Sequence, residues 1–185
     1  MANTQRSPLK HTLLIGTTGM LGGLTSRIAN EPGRCTLLAR DLEKMCSLAP
    51  HALHLPTRWD DPDGFSDALA QAQWTNGPID LAVAWIHSGH EATWEVLLDA
   101  LPTGAMLVEV VGSASLDPSK SDLSHRDSTR AMGVHHVRAA LGYALRDDGR
   151  ARWLTHDEIS LGVLDVVASS RDGIVGRADP WPPSF

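Results

Sequence analysis

Two periods of apolar residues alternate along the chain. His11 to Ile15 reads as a short buried strand, and Leu21, Leu24 and Ile28 then repeat at helical spacing over Met20 to Asn30. Pro32 and Gly33 end that helix. Cys35 to Ala39 reads as a second strand, Asp41 to Leu48 as a short helix, and His51 to Leu55 as a third, weaker strand. Phe65, Ala68, Leu69 and Ala72 form the next helical stripe, stopped by Asn76-Gly77-Pro78. Ile79 to Ile86 is nearly continuous in apolar residues, as a parallel strand covered on both faces requires. Trp94, Leu97, Leu98 and Leu101 give a fourth helix, and Ala105 to Val111 a fifth strand. Strand and helix therefore alternate, which predicts an α/β fold with a doubly wound parallel sheet.

The pattern changes after the fifth strand. Asp117 to Arg130 is polar and allows a short helix, with little apolar face to anchor one. Val137, Ala139, Leu141, Tyr143 and Leu145 alternate, predicting one half-buried strand. Asp148-Gly149 is a hairpin signal, with Ala151 to Leu154 as the return strand. Thr155 and Glu158 form a capping box opening a helix whose apolar face is Ile159, Val163, Val166 and Val167. The residues after Arg171, ending in DPWPPSF, read as an extended segment docked on the rest. The expectation is a single domain over residues 1–185, closing with a hairpin and a helix.

Composition narrows the function classes. The chain has 185 residues, 42% of them apolar and 21% charged, with a formal net charge of -6. That charge argues against a nucleic-acid backbone or an anionic membrane as the partner. No apolar run approaches the ~20 residues that span a bilayer. The first ten residues are polar and carry no signal-peptide core, so a cytoplasmic location is expected. Cys35 and Cys46 form neither a disulfide framework nor a metal spacing.

The stretch LLIGTTGMLGG follows the first strand and opens the first helix. Gly16, Gly19 and Gly22 stand where a strand–turn–helix unit turns sharply, and a helix N-terminus there suits a pyrophosphate. The other reading is a turn that needs glycine for packing alone. GTTGMLGG resembles the T-G-x-x-G-x-x-G signature of the short-chain dehydrogenase/reductase superfamily, above all its extended and atypical branches, over roughly Thr12 to Ser115. The resemblance implies a Rossmann-like NAD(P)-binding domain. Gly16, Thr17, Thr18, Gly19, Met20 and Leu21 would hold the pyrophosphate and adjoining ribose. Arg40, at the end of the second strand, would favour NADP over NAD by pairing with a 2′-phosphate, unless it is a solvated loop residue. Trp59 and Asp60 fall loosely where the family places an acid near the adenine. Ala84, Trp85 and Ile86, with His87, stand where the family carries N-N-A-G bordering the cofactor.

The family's usual chemistry needs Tyr-x-x-x-Lys, and this chain departs from it. Tyr143 is the only tyrosine, the residue four places on is Asp147, and no lysine stands in that relation. Ser113 follows the fifth strand, where the family's catalytic serine lies, and Ser115 is close by. His87 and His90 follow the fourth strand and face the same crevice, where either could serve as acid or base. The candidates for the chemistry are thus Ser113 and His87. In HSGHE the two histidines are separated by Gly89 and lack a third ligand, so no metal is expected. His135 and His136 are adjacent on a strand and point to opposite faces. Tyr143 and Trp94 read as core, while Trp181 pins the tail or a partner subunit. Two functions follow. One is an NADP(H)-dependent oxidoreductase acting on a small carbonyl or hydroxyl compound without the Tyr-Lys pair. The other is a non-catalytic dinucleotide-binding sensor or scaffold protein. In both the partner is a dinucleotide, and a homo-oligomer is compatible with the hairpin and tail.

Overall fold

The computed structural model describes residues 10–112 and 124–178. Its sheet has seven strands in the order β3-β2-β1-β4-β5-β6-β9. The strands are β1 (His11–Ile15), β2 (Arg34–Ala39), β3 (Leu53–Pro56), β4 (Leu81–Ala84), β5 (Met106–Val111), β6 (His135–Leu141) and β9 (Gly173–Val175). Every pairing among them is parallel. The expected doubly wound architecture is the one observed.

Helices cover both faces because each presents one apolar stripe. Helices α1 (Gly22–Ala29), α2 (Leu42–Leu48) and α6 (His156–Ser169) bury Leu24, Ile28, Met45, Ile159 and Val163 against one face. Helices α3 (Pro62–Asn76) and α4 (Glu91–Ala100) bury Phe65, Leu69, Trp94 and Leu97 against the other. Caps set several starts. Asp41 accepts from the Lys44 N–H and Asp61 from the Gly64 N–H, each at 3.0 Å. The capping box of α6 forms as expected from Thr155 and Glu158. Helix α1 begins at Gly22 rather than Met20, because Gly22 N–H closes a tight turn onto the Gly19 carbonyl at 2.9 Å.

One expectation is corrected in the second half, and two are made specific. The alternation from Val137 to Leu145 is two strands. At Gly142 the chain leaves the large sheet, and β7 (Tyr143–Leu145) pairs antiparallel with β8 (Ala151–Trp153). Gly142 is required there, since a Cβ would lie 2.0 Å from the Arg177 carbonyl oxygen. The segment after Arg171 supplies β9, a parallel edge strand. DPWPPSF, with Trp181, lies outside the described residues. The polar stretch does hold a helix, α5 (Ser124–Ala131).

What anchors α5 is polar. Glu109 on β5 is buried, and its carboxylate accepts from Arg138 Nε at 2.7 Å and His136 Nε2 at 3.0 Å, both on β6. His125 Nδ1 of α5 stands 3.7 Å away. Burial would raise the Glu109 carboxyl, but His125, His136 and Arg138 outweigh it and hold the group well below the usual carboxylate range. Thr129 of α5 contacts His136 Nδ1 at 3.2 Å, and Arg126 pairs with Asp172 at 2.6 Å.

Candidate functional site

The direction of the crossovers reverses between β1 and β4. The chain leaves β1 towards α1 on one face and leaves β4 towards α4 on the other. Adjacent strand ends whose loops part in this way open a crevice at the carboxyl edge. The crevice here is a cleft of about 670 Å³. Gly16, Thr18, Gly19 and Met20 form one wall, Arg40 to Lys44 another, and Trp59, Trp85 and His87 the rest.

The glycines of the turn divide their work. Gly16 has φ of +69°, and a Cβ on it would lie 2.3 Å from the Trp85 carbonyl oxygen and 2.6 Å from Trp59 Cζ2. Only glycine fits that position. Gly19 has open space around it, so its backbone is bare to the cleft. Gly22 and Gly23 serve packing, with Gly22 against Leu48 of α2 and Gly23 against Ser160 of α6. The first turn of α1 lacks both a side-chain cap and an acidic residue. The partial positive charge at this helix start is therefore not answered by a residue of its own first turn. Within the stretch, Gly22 and Gly23 serve packing, while Gly16 and Gly19 line the cleft.

The other expected residues sort by what they face. Thr18, Met20, Arg40, Trp59, Trp85 and His87 line the cleft. Thr17 points inward, its hydroxyl 2.6 Å from that of Thr25 on α1. Leu21, Ala84 and Ile86 are buried core residues outside the cleft lining. Asp60 is exposed outside the cleft lining, and both its oxygens accept from Arg58, at 2.9 and 2.8 Å. Asp41 lines the cleft but caps α2, and the Lys44 N–H it accepts holds its carboxyl below the usual range. Ser113 and Ser115 lie outside the described residues. His90 begins α4 as its N-cap without a side-chain cap bond.

The rings gather. Trp59 stands 5.5 Å from His87 and 6.1 Å from His90, and Trp85 stands 5.4 Å from His87. The Arg40 guanidinium lies over the Trp59 ring at 5.8 Å. Sequence reasoning did not single out Leu42, Glu43 and Lys44 as lining residues, nor Glu109. The signal for Glu109 was an acid inside the apolar run MLVEVV.

Tyr143 is fully buried, as expected, and lines a different groove, between α6, β7 and β9. Among the described residues no group of His, Cys, Asp and Glu is arranged to hold a metal, and no helix is long and apolar enough to cross a membrane. Burial pushes the Cys35 thiol up to about 12, which keeps it protonated.

No family model matches the sequence, and none of the curated proteins is a significant match. Solved structures do match. A short-chain type dehydrogenase/reductase from Mycobacterium marinum superposes with a TM-score of 0.71 at 16% identity, over 94% of this chain and 96% of that one. A short-chain dehydrogenase/reductase from Serratia marcescens gives 0.66 at 13%, over 93% and 100%. A short-chain dehydrogenase from Burkholderia cenocepacia, solved in complex with NADP, gives 0.65 at 13%, over 90% and 96%. Another match, from Haemophilus influenza, was solved with bound NAD. At such identities the likeness is one of architecture: the chain is built on the Rossmann-type parallel fold of the short-chain dehydrogenase/reductases.

Proposed function

We propose that the cleft binds a nicotinamide dinucleotide, NADP(H) in preference to NAD(H), and that the protein is an oxidoreductase acting on a small carbonyl or hydroxyl compound. The observation that carries this reading is the turn at Gly16 to Gly19, bare to a cleft at the reversal point of the sheet. Thr18 and Gly19, with the first turn of α1, would hold the pyrophosphate. The preference for NADP rests on two cleft residues. Arg40 is exposed and makes no salt bridge among the described residues, so its guanidinium is available to a 2′-phosphate. Asp41, the acid that would accept from a free 2′-hydroxyl, is committed to capping α2. A bound nicotinamide would supply hydride chemistry, and His87 lines the cleft where a proton donor or acceptor is needed.

Titration of the chain with NADPH and NADH, by calorimetry and nicotinamide fluorescence, tests this. The expected result is tighter NADPH, and Arg40→Asp weakens NADPH by about tenfold or more while changing NADH little. Equal losses for both would remove Arg40 from 2′-phosphate recognition. Binding of neither would remove the dinucleotide reading.

One observation favours the non-catalytic sensor or scaffold as the second reading: the single tyrosine is core and cannot act in the cleft. Binding of NADPH without turnover of any compound in a broad carbonyl panel is its signature. Self-association into a homo-oligomer is also expected.

A further inference from the structure

We propose that Cys46 is a site of reversible thiol modification, a nucleophile that attacks small-molecule disulfides with His54 as its base. The inference is independent of the dinucleotide reading above, and both residues stand outside the cleft lining.

Two neighbouring elements build the pair. Cys46 lies near the end of α2 and is exposed, and His54 is the second residue of β3. Their side chains meet, with Cys46 Sγ 3.6 Å from His54 Nδ1. The other ring nitrogen, Nε2, lies 2.8 Å from the Ala49 carbonyl. A carbonyl only accepts, so Nε2 carries a proton and donates it. In the neutral ring Nδ1 then keeps its lone pair, and the thiol donates to it. Ala49 is the C-cap of α2, so the group that orients the ring belongs to the element that carries the sulfur. Nucleophile, base and orienting group stand in order, which is the arrangement that activates a thiol.

The step balances within this pair and the disulfide. The Cys46 S–H proton passes to His54 Nδ1 as the sulfur attacks one sulfur of the disulfide. An S–S bond forms on Cys46 and the old S–S bond breaks. The departing sulfur leaves as a thiolate and takes the proton from His54. The Cys46 sulfur is oxidised and the departing sulfur is reduced.

The rest of the chain does not reverse this step. Cys35 is the only other cysteine, and burial keeps its thiol protonated. The mixed disulfide therefore persists until an external thiol attacks it. Leu42, four residues before Cys46 and on the same side of α2, lines the cleft. An adduct on Cys46 thus stands beside that wall.

Oxidised glutathione added to the full native chain, followed by intact mass and peptide mapping, tests the proposal. The expected product is one adduct per chain, on Cys46, removed by dithiothreitol. His54→Gln is expected to slow its formation by more than about fivefold. The wild-type chain is expected to form the Cys46 adduct faster when folded than when unfolded in urea, because exposure alone does not carry a thiol beyond its unfolded rate. No adduct, or an adduct on Cys35 instead, would overturn the proposal. So would a folded His54→Gln chain that reacts within about fivefold of wild type. A folded wild-type chain that reacts no faster than the unfolded one would overturn it too, and that comparison decides if His54→Gln does not fold. Neither readout involves NADPH, so failure of the dinucleotide reading and failure of this inference are seen separately.

Discussion

At the scale of single residues, His11 shows how burial turns a polar side chain into a pH-dependent support. It is fully buried on β1. Its Nδ1 lies 2.8 Å from the Gly77 carbonyl, so that nitrogen carries the proton and donates. Its Nε2, 2.9 Å from Thr36 Oγ1, accepts from that hydroxyl. Asn76 Nδ2 donates to the same hydroxyl oxygen. Burial lowers the His11 pKa below its ordinary 6.5, with the Gly77 carbonyl and Asp80 opposing. The unfolded chain then takes up a proton at a higher pH than the folded one does. His11 therefore contributes stability above about 6.5 that is lost as pH falls towards the lowered folded value. Urea midpoints measured from pH 7.5 down to 5 should fall for the wild type. His11→Leu should start lower by about 1–3 kcal/mol, having stranded the Gly77 carbonyl, and should vary less with pH. A wild-type midpoint flat over that range would contradict the assignment.

Some single-residue roles could be read in the sequence and others could not. The need for glycine at position 16 follows from a strand ending in a sharp turn, and the core places of Tyr143 and Trp94 follow from periodicity. The inward turn of Thr17 does not, because it depends on Thr25, which meets it only once α1 has folded back. The same holds for Asp60, whose carboxylate could face a ligand or a neighbour. Arg58 decides the matter through side-chain rotamers that no spacing records.

At the scale of elements, α5 is held by charge where α4 is held by apolar area. Its sequence, SHRDSTRA, offers almost no apolar stripe, so periodicity gave no strong helix there. The stabilising partner sits on β5, and Glu109 is recognisable only by its incongruity in an apolar strand. Glu109→Ala should cost about 1–3 kcal/mol, since it removes the buried carboxylate to which both His136 and Arg138 donate. Chemical denaturation measures it, and a loss below about 1 kcal/mol would mean that α5 is held by other contacts. Glu109 also sets an acid limit. Its folded pKa is depressed, so its contribution is present above the ordinary 4.5 and is lost as pH falls below that towards the folded value. The break between β6 and β7 escaped the alternation pattern for a similar reason. The period of two continues across Gly142, while the hydrogen-bonding partner changes from one sheet to another.

At the scale of the whole molecule, the alternation of strands and helices was enough to predict the order of layers, because parallel strands require crossovers. An extended docked segment was expected after Arg171, but not its pairing as the edge strand. Gly173–Val175 has three residues, too few for any period to show. Their place is set by α6, where Gly162 lets the helix come down on Val175. Outside this edge Leu161, Ile174 and Trp153 are exposed among the described residues, and apolar surface of this kind beside a sheet edge favours self-association. Light scattering should therefore give a mass at least twice that of the 19.9 kDa chain at micromolar concentration. A monomer mass would withdraw the homo-oligomer.

The bridge between Tyr143 and Arg177 closes the edge with two backbone hydrogen bonds, at 3.0 and 2.8 Å. Its consequence concerns synthesis. A ribosome delivers the chain from its N-terminus, at about 5–20 residues each second. Strands β1 to β6 emerge before β9, so the flank of β6 is bare until residue 177 has left the exit tunnel. Sheet completion thus waits until α6 and β9 have been made. A pause between Leu141 and Arg177 would hold the nascent protein with an unpaired strand, the state in which neighbouring chains pair with one another.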